Sequence, residues 1–379
     1  MKEKTEKRIR ILFFIPGLSE GGAEKVLCSL VNNMDQSKFD ITVQTIDKFD
    51  QRQYLKDGIH YKAINQYKTD RGKKLFTCWF RLCAELGIAY RLFVKEDYDI
   101  EVAYLETAAT KIIAQSTNKK SAKLAWVHCD LSKKEGMSHS VEKVRKQYAR
   151  YDKIVCVSRD VEAGFHKLYG KDFKTVVLHN VIDEDEILRR AAEPAEWETE
   201  PEEKRLLAVG RLTKQKNFKY LIKTCGRLRD SGYQFKLNIL GEGPERERLE
   251  EQIRTLKLEK YVTLKGFTKN PYPWMKTADL IVCSSRYEGI STVVQEALIL
   301  GKVVVTTPCT GMKELLGDSK YGLIVEDSEK GLYNGIAKLL DETELMQKYD
   351  AAAKDCRVIY SKKRMVGQTE KFFQDARKK

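Results

Sequence analysis

Short apolar runs alternate with longer segments of helical periodicity along the whole chain. In the first half these runs predict seven strands, at residues 9–15, 39–45, 59–64, 99–105, 123–128, 153–158 and 175–178. Most of the runs are apolar throughout, which is typical of parallel strands that are covered by helices on both faces. Because helical segments lie between most of them, the first half predicts a doubly wound α/β domain.

The same alternation begins again after residue 204. It predicts six more strands, at residues 205–212, 235–240, 262–266, 280–283, 303–307 and 323–325. The segments between them predict helices at residues 219–230, 244–257, 291–300, 313–316 and 330–340. The second half therefore predicts a second doubly wound domain.

An acidic segment with two prolines and no periodicity, residues 193–204, separates the two halves. We place the domain boundary there: residues 1–190 form the first domain, 191–204 an acidic linker and 205–358 the second domain. The final segment, residues 359–379, predicts a terminal helix that crosses back to the first domain.

Composition and length are those of a globular protein with two cores. The chain has 379 residues, so each of the two domains is large enough to fold without stabilising disulfides or metal ions. No apolar run approaches the length of a membrane span, and the charged N-terminus leads into the first strand without a signal-peptide core. The nine cysteines form no CxxC pair, which favours reduced thiols and no metal site. These features predict a cytoplasmic protein.

The formal net charge of +14 indicates an anionic partner or substrate. The sequence has no zinc-finger, RNP-like or helix-turn-helix signature, so we expect no nucleic acid partner. Residues 68–95 carry seven Lys and Arg against two acids. The same segment places apolar side chains at helical spacings: Phe76, Trp79, Phe80, Leu86, Tyr90 and Phe93. It is either a basic amphipathic helix on an anionic membrane surface or an ordinary helix with an aromatic core face. We expect peripheral association with the inner face of the cell membrane.

Residues 280–307 read as strand, turn, helix and strand, and they contain two glutamates eight positions apart. Glu288 lies in the turn and Glu296 in the helix, for which Ser291 is a candidate N-cap. The apolar residues around Glu296 predict that it is buried, and a buried carboxylate needs a partner. The alternative is a glutamate that only offsets the helix dipole.

Two loops in this pattern suit a phosphate. Gly21 and Gly22 follow the first strand and precede a helix, so backbone amides and the helix dipole can meet an anion there. Arg211 and Lys216 follow the first strand of the second half, where a guanidinium fork and an ammonium suit a diphosphate. A flexible turn and a solvated basic loop are the respective alternatives.

A second glycine pair, Gly241 and Gly243, precedes Pro244 at a predicted helix N1 position. Because the third glycine of a dinucleotide fingerprint is missing, this loop does not support a dehydrogenase. The DxD windows at residues 97–99 and 183–185 are interpreted as strand-start and helix-cap signals, so no metal ion is expected.

His128 ends a predicted strand, LAWVH, at the edge of the sheet where doubly wound domains bind ligands. An imidazole there suits acid–base or polar-contact chemistry near neutral pH. A satisfied structural histidine is the alternative.

Taken in order along the chain, these residues resemble glycosyltransferase family 4, over about residues 9 to 360. The Glu288–Glu296 element with Arg211 and Lys216 upstream is the most specific part of the match. The resemblance implies a retaining, nucleotide-sugar-dependent enzyme with two Rossmann-like domains that face each other across a cleft, the GT-B architecture. It also implies that no metal cofactor is needed, because fixed cations and helix N-termini stabilise the leaving diphosphate.

The resemblance further implies a role for each residue. Arg211 and Lys216 hold the donor diphosphate, Glu288 contacts hydroxyls of the transferred sugar and Glu296 accepts hydrogen bonds from the nucleotide ribose. His128 approaches the sugar near its anomeric carbon from the opposite domain. The other implied donor contacts are Gly21, Gly22, Gly289, Ile290, Ser291 and Thr292, with weaker nucleotide contacts at Gly241, Gly243 and Phe267. Many relatives have an aromatic residue and a proline where this chain has Ile290-Ser291, which leaves the sugar open.

We therefore expect a glycosyltransferase that moves a sugar, most simply from a UDP-sugar, to a glycan or lipid-linked acceptor in cell-surface polysaccharide biosynthesis, such as capsule formation. Two alternatives remain open at this point. One is a sugar-nucleotide epimerase of the same fold, and the other is a non-catalytic, basic protein that binds a membrane surface or nucleic acid.

Overall fold

The computed structural model describes residues 7–18, 21–48, 54–65, 67, 69–133 and 141–377. The chain divides into two compact units. The first comprises Met1–Val181 together with Lys363–Lys379, and the second is Ile182–Lys362.

A parallel sheet forms the centre of the first unit. Within the described residues its seven strands, β1 to β7, are Ile9–Ile15, Phe39–Asp47, His60–Asn65, Ile100–Ala103, Ala122–Val127, Lys153–Cys156 and Thr175–Val177. They lie in the order β3-β2-β1-β4-β5-β6-β7. The register places Ile11 beside Ile41 of β2 and Ile100 of β4, so strongly apolar strands fill the middle of the sheet.

Helices connect these strands as crossover connections. Helices α1 to α6 are Gly22–Asn33, Asp70–Glu85, Ala89–Phe93, Ala108–Ile113, Val141–Tyr148 and Arg159–Tyr169. The last helix of the chain, α15 (Lys362–Ala376), also packs on this sheet. Its Phe373 makes edge contacts with Phe13 of β1 and Phe39 of β2, with ring centroids 5.7 and 6.4 Å apart.

The second unit repeats the architecture. Its described strands, β8 to β13, are Lys204–Val209, Phe235–Leu240, Val262–Gly266, Leu280–Cys283, Val304–Thr306 and Leu323–Ile324. Their order is β10-β9-β8-β11-β12-β13, and every pair is parallel. Helices α7 to α14 are Glu184–Arg190, Phe218–Asp230, Arg246–Thr255, Tyr272–Thr277, Thr292–Ile299, Met312–Leu316, Glu329–Asp341 and Thr343–Ile359.

The predicted fold class is confirmed: each unit is a doubly wound, Rossmann-like α/β domain. Every predicted strand is present, with bounds that shift by up to three residues. One helix start was wrong. Pro244 was predicted at position N1, but the helix begins at Arg246 after an N-cap at Glu245, because residues 241–244 run close along the preceding loop.

The division between the units falls before the predicted linker. Helix α7 belongs to the second unit, where Asp183 caps it by accepting a hydrogen bond from the backbone N–H of Glu186. The acidic segment is also packed on this unit. Its Trp197 lies against Trp274 with ring centroids 5.3 Å apart and donates a hydrogen bond to Thr277. An aromatic anchor therefore holds a segment that composition alone predicted to be a linker.

The basic segment 68–95 forms two helices instead of one; Lys68 lies outside the described residues. Gly87, at φ +77°, ends the first helix and allows the chain to turn into α3. Among the described residues, no helix is long and apolar enough to cross a bilayer.

Candidate active site

The strand order of the second unit brings the candidate residues together. From β8 the sheet extends through β9 on one side and through β11 on the other. The connections therefore diverge between β8 and β11, and this switch point is where open α/β sheets bind their ligands. Arg211 and Lys216 follow β8, and Glu288 follows β11.

Lys216 and Glu288 form a direct ion pair at this switch point. The Nζ of Lys216 lies 2.6 Å from Oε1 of Glu288, and both side chains are largely shielded from solvent. Ser285 donates a second hydrogen bond to the same carboxylate oxygen, at 2.6 Å. The aliphatic part of Lys216 passes over Gly210, where a Cβ atom would crowd it.

Further hydrogen bonds tie the two loops to each other. Ser284 donates from its hydroxyl to the carbonyl of Lys216 at 2.8 Å. Gln215 donates from its side chain to the carbonyl of Tyr287 at 2.9 Å, and its own carbonyl accepts from the backbone N–H of Arg286. The two loops are therefore a single braced structure, which fixes the position of the ion pair.

Burial and charge act in opposite directions on Lys216. Burial by itself would lower the pKa of its ammonium, but the adjacent Glu288 carboxylate outweighs this and raises the pKa above its ordinary value. Lys216 therefore remains a cation at any physiological pH. A fixed, charged ammonium at a ligand edge is suited to a phosphate oxygen.

Arg211 differs from Lys216 in having no partner. Its side chain is exposed, and within the described part of the chain its guanidinium makes no hydrogen bond or ion pair. The backbone beneath it is well held, since Leu212 donates to the carbonyl of Glu242 at 2.9 Å. Because no internal ion pair has to be broken first, this guanidinium can bind an incoming anion without that energetic cost.

The glycine pair after β9 makes this close approach of loops possible. A Cβ atom at Gly241 would overlap the carbonyl oxygen of Gly210, and one at Gly243 would overlap that of Leu212. The pair thus supports the Arg211 loop directly. Phe267, the third predicted nucleotide contact, follows β10 and is 51% exposed, so its ring is accessible to a base.

The N-terminus of α11 lies in the loop that carries Glu288. Gly289, Ile290 and Ser291 are buried, and Thr292 is the first residue of the helix. Ser291 occupies the predicted N-cap position but makes no capping hydrogen bond. Its Oγ is buried without a partner among the described residues. The unpaired amides of the first helical turn and this hydroxyl form a set of donors suited to an anion.

Glu296 is buried, as its apolar neighbours predicted, and it has a partner inside the protein. The hydroxyl of Tyr272 donates to its Oε1 at 3.2 Å, and the guanidinium of Arg190 lies over the Tyr272 ring at 5.2 Å. Burial, followed by the neighbouring Glu296 carboxylate, raises the pKa of Tyr272 far above its usual range, which keeps this hydroxyl a donor.

In the first unit, Glu106 organises the turn that carries His128. Its carboxylate accepts hydrogen bonds from the backbone N–H groups of His128 and Cys129, directly after β5. The imidazole packs on Tyr104 with ring centroids 4.8 Å apart. Its Nε2 is buried and has no hydrogen-bond partner among the described residues. Burial lowers the pKa of His128, so the ring is neutral at pH 7.

Gly21 and Gly22 lie at the switch point of the first sheet, between β1 and β4. Gly21 is the N-cap of α1 and Gly22 its first residue, which leaves the amides of the first turn for a ligand. Residues 19 and 20, immediately before them, lie outside the described residues.

Sequence reasoning missed the residues that support these side chains. Ser285 and Ser284 directly follow a buried strand, a position that could have marked them as ligand-edge residues. Glu106 likewise follows β4, whereas nothing in the sequence connected Tyr272 to Glu296, 24 positions away. In the part of the chain that the structure describes, no cluster of three or more His, Cys, Asp or Glu could hold a metal ion.

Comparison with known families and proteins finds related sequences. Residues 189–355 match the family described as "Glycosyl transferases group 1". Over 95% of this chain and 98% of its own length, a Campylobacter jejuni protein is 27% identical. It is named N-acetylgalactosamine-N,N'-diacetylbacillosaminyl-diphospho-undecaprenol 4-alpha-N-acetylgalactosaminyltransferase. The amylovoran biosynthesis glycosyltransferase AmsD of Erwinia amylovora is 24% identical over 91% of this chain and 93% of its own.

Solved structures share the fold. HepE of Anabaena, in complex with UDP and glucose, superposes with a TM-score of 0.74 at 19% identity, covering 97% of this chain and all of its own. Sucrose-phosphate synthase of Thermosynechococcus elongatus gives a TM-score of 0.77 at 16% identity, covering 97% and 99%. The two Rossmann-like domains thus have the GT-B fold.

Proposed function

We propose a specific reaction for this chain, which is a glycosyltransferase whose residues 189–355 belong to group 1. It moves a sugar, with retention of configuration, from a UDP-sugar to a lipid-linked glycan in the biosynthesis of a cell-surface polysaccharide. Within the group, the proposal assigns the chain to glycosyltransferase family 4.

The braced pair of Lys216 and Glu288 at the β8–β11 switch point is the observation that carries the proposal. Cleavage of a glycosyl phosphate leaves negative charge on the diphosphate and positive charge on the sugar. Lys216 and Arg211 supply positive charge for the first, and the Glu288 carboxylate lies beside Lys216 for the sugar. Preorganised charges of this kind need no rearrangement during the reaction.

The donor and acceptor assignments have separate support. UDP is bound by the Anabaena protein that shares the fold, and Glu296 with Phe267 offers a carboxylate and an accessible ring for a ribose and a base. The Campylobacter relative is named for a diphospho-undecaprenol substrate, and the Erwinia relative for amylovoran biosynthesis. Both names favour a lipid-linked or polysaccharide acceptor.

Retention is assigned to a same-face displacement. In it, the leaving phosphate accepts the acceptor's proton while the acceptor oxygen forms its bond to the anomeric carbon. His128, neutral at pH 7, is proposed to contact the sugar near that carbon. This role rests on the family resemblance, and the unsatisfied Nε2 of His128 supports it.

A donor and acceptor panel tests the proposal. The protein is incubated with UDP- and GDP-sugars and with polyprenyl-diphosphate glycans, and the products are identified by mass spectrometry. We expect glycan extension with at least one UDP-sugar. Arg211→Ala and Lys216→Ala should each lower kcat by about 100-fold. Lys214→Ala, which removes an exposed lysine from the same loop, is the matched control and should resemble wild type.

Three results would contradict parts of the proposal. Equal turnover by all four proteins would remove the assigned diphosphate site. An inverted anomeric configuration, detected by NMR in the first product formed, would exclude retention. Release of free epimerised nucleotide sugar without any acceptor would instead establish the epimerase alternative.

A further inference from the structure

Helix α2 has an exposed apolar face that is distinct from its buried face. Ten large apolar side chains are exposed in the described part of the chain, and five of them lie within residues 75–88. These are Leu75 (67% exposed), Trp79 (48%), Leu82 (56%), Leu86 (64%) and Ile88 (43%). The spacing of the first four, at steps of four, three and four, places them in one row along α2.

The aromatic residues of segment 68–95 are divided between a buried face and an exposed face. Phe76, Phe80 and Tyr90 are buried in the core of the first unit. For these three, the interpretation as an ordinary core face is therefore correct. The exposed row is a second face of α2 and is not part of the core.

A basic row lies beside the apolar row. Arg71, Lys74 and Arg81 are all exposed, and their spacing of three and seven places them along one side of it. The acid that follows on this side, Glu85, is bound by Lys111 and Lys143, so its charge is matched within the protein. The surface thus combines an apolar strip with a positively charged border.

Trp79 is held in place at the middle of the row. Its ring makes edge contacts with Phe76 and Phe93, at centroid distances of 5.9 and 5.3 Å, while nearly half of the side chain is exposed. An amphipathic indole that is anchored on one side and free on the other is the side chain found at membrane–water interfaces.

We propose that this face of α2, with Leu75, Trp79, Leu82 and Leu86 inserted between lipid headgroups, docks the enzyme on an anionic bilayer. The leucines enter the headgroup–acyl boundary and the basic row binds acidic lipids. This surface serves the proposed function by holding the enzyme where a lipid-linked acceptor is found, and in that sense it rests on that function.

A second copy of the chain is the competing occupant of the apolar row. A two-fold interface through the row would bring both copies of the basic border, Arg71, Lys74 and Arg81, to the rim of one patch, where their like charges would repel. The protein as a whole carries a charge of +14, which adds to that repulsion. Charge complementarity therefore favours the lipid surface.

Vesicle flotation of the full chain, without donor or acceptor, tests the docking surface independently of catalysis. The vesicles contain phosphatidylcholine alone or with 25% phosphatidylglycerol. We expect binding to the anionic vesicles that weakens as salt is raised. Leu82→Glu with Leu86→Glu should reduce it by at least about tenfold. Leu188→Glu, at an exposed leucine on α7, is the matched control and should bind like wild type.

Trp79 provides a direct readout of insertion. Brominated lipids should quench part of the tryptophan fluorescence of the wild type. Trp79→Phe should lose that quenching while it retains flotation, because the ring remains apolar. Thermal unfolding of each variant shows whether it is folded.

Several outcomes would overturn the proposal: no flotation of the wild type, equal flotation of the double glutamate variant, or unchanged quenching in Trp79→Phe. A dimer in solution that the double variant dissociates would assign the row to a second copy instead. Because turnover in the donor and acceptor panel is measured without vesicles, a failure here leaves the glycosyltransferase proposal testable, and the reverse also holds.

Discussion

The ammonium of Lys216 lies 2.6 Å from the carboxylate of Glu288, so two residues 72 positions apart join the loops that follow β8 and β11. The sequence predicted that each would meet a different part of a ligand, and it did not predict that they would pair. The pairing has a simple electrostatic reason. A largely buried carboxylate and a largely buried ammonium would each be costly alone, and together each satisfies the other.

The first prediction concerns the coupling of this pair. Lys216→Met and Glu288→Gln should each destabilise the protein by about 1–3 kcal/mol, because each leaves a shielded polar group with one partner fewer. The double variant should be destabilised by clearly less than the sum of the two. Thermal unfolding of the four proteins gives the coupling energy. All three variants should lose activity by about 100-fold or more, and strictly additive losses of stability would contradict the coupling.

The alternation of strands and helices along the chain followed from hydrophobic patterning alone. Strands such as Phe235–Leu240 and Leu280–Cys283 are buried on both faces, and each lies between polar turns, so their bounds were readable. The packing of the acidic segment 193–204 on the second unit could not be predicted from the sequence. Its attachment includes the contact of Trp197 with Trp274 and the ion pair of Glu198 with Lys265, whose partners lie far away in the chain.

The second prediction concerns the glycine loop after β9. Gly241→Ala would drive a Cβ atom into the carbonyl oxygen of Gly210, on the loop that carries Arg211. We expect a loss of stability greater than about 1 kcal/mol, since neither backbone can move freely. Gly226→Ala in α8 is the matched control, because among the described residues no atom beyond its chain neighbours and its own helix backbone lies within 4 Å of the added methyl. It should stabilise the protein by about 0.5–1 kcal/mol. Equal melting temperatures for the two variants would contradict this.

The third prediction concerns Gln295, one turn after Ser291 in α11. Its amide nitrogen and oxygen are both buried and have no partner among the described residues. The side chain borders a cavity of about 10 Å³ lined by Leu298, Leu315, Cys356 and Tyr360. Because an unsatisfied buried amide is costly, Gln295→Met should stabilise the protein by about 1–2 kcal/mol.

Gln252→Met is the control for this change. The side chain of Gln252 donates to the carbonyl of Lys219 at 2.9 Å, so its replacement should be neutral or slightly destabilising. A lower melting temperature for Gln295→Met would show instead that a bound water or ligand satisfies the amide in solution.

The sequence predicted the candidate site only where its chemistry depends on residues that are close together in the chain. The spacing of Glu288 and Glu296 is local, and so is the order of Arg211 and Lys216 along one loop. The contacts that position them are not local: Tyr272 reaches Glu296, Ser284 reaches the carbonyl of Lys216. Such contacts depend on strand order, which a single sequence does not specify. The exposed row on α2 was missed for a related reason, since periodicity shows that a helix has faces but not how many of them are buried.

The last prediction concerns the protonation of His128. Burial lowers the pKa of its imidazole below the ordinary value of 6.5, and the Glu106 carboxylate opposes this only in part. Below pH 6.5 the unfolded chain therefore binds a proton that the native protein does not bind. Stability should be fully present above pH 6.5 and should decrease as the pH falls towards the lowered pKa. The slope contributed by one such group is at most about 1.4 kcal/mol per pH unit.

Two measurements check this prediction. In an NMR titration, the imidazole resonance that is missing from His128→Gln should titrate with a midpoint below 6.5. Between pH 5 and 7, the melting temperature of His128→Gln should depend less steeply on pH than that of the wild type. A midpoint at or above 6.5 would mean that the imidazole is solvated or paired in solution. A midpoint above 7 would also remove the neutral imidazole that is proposed to contact the sugar.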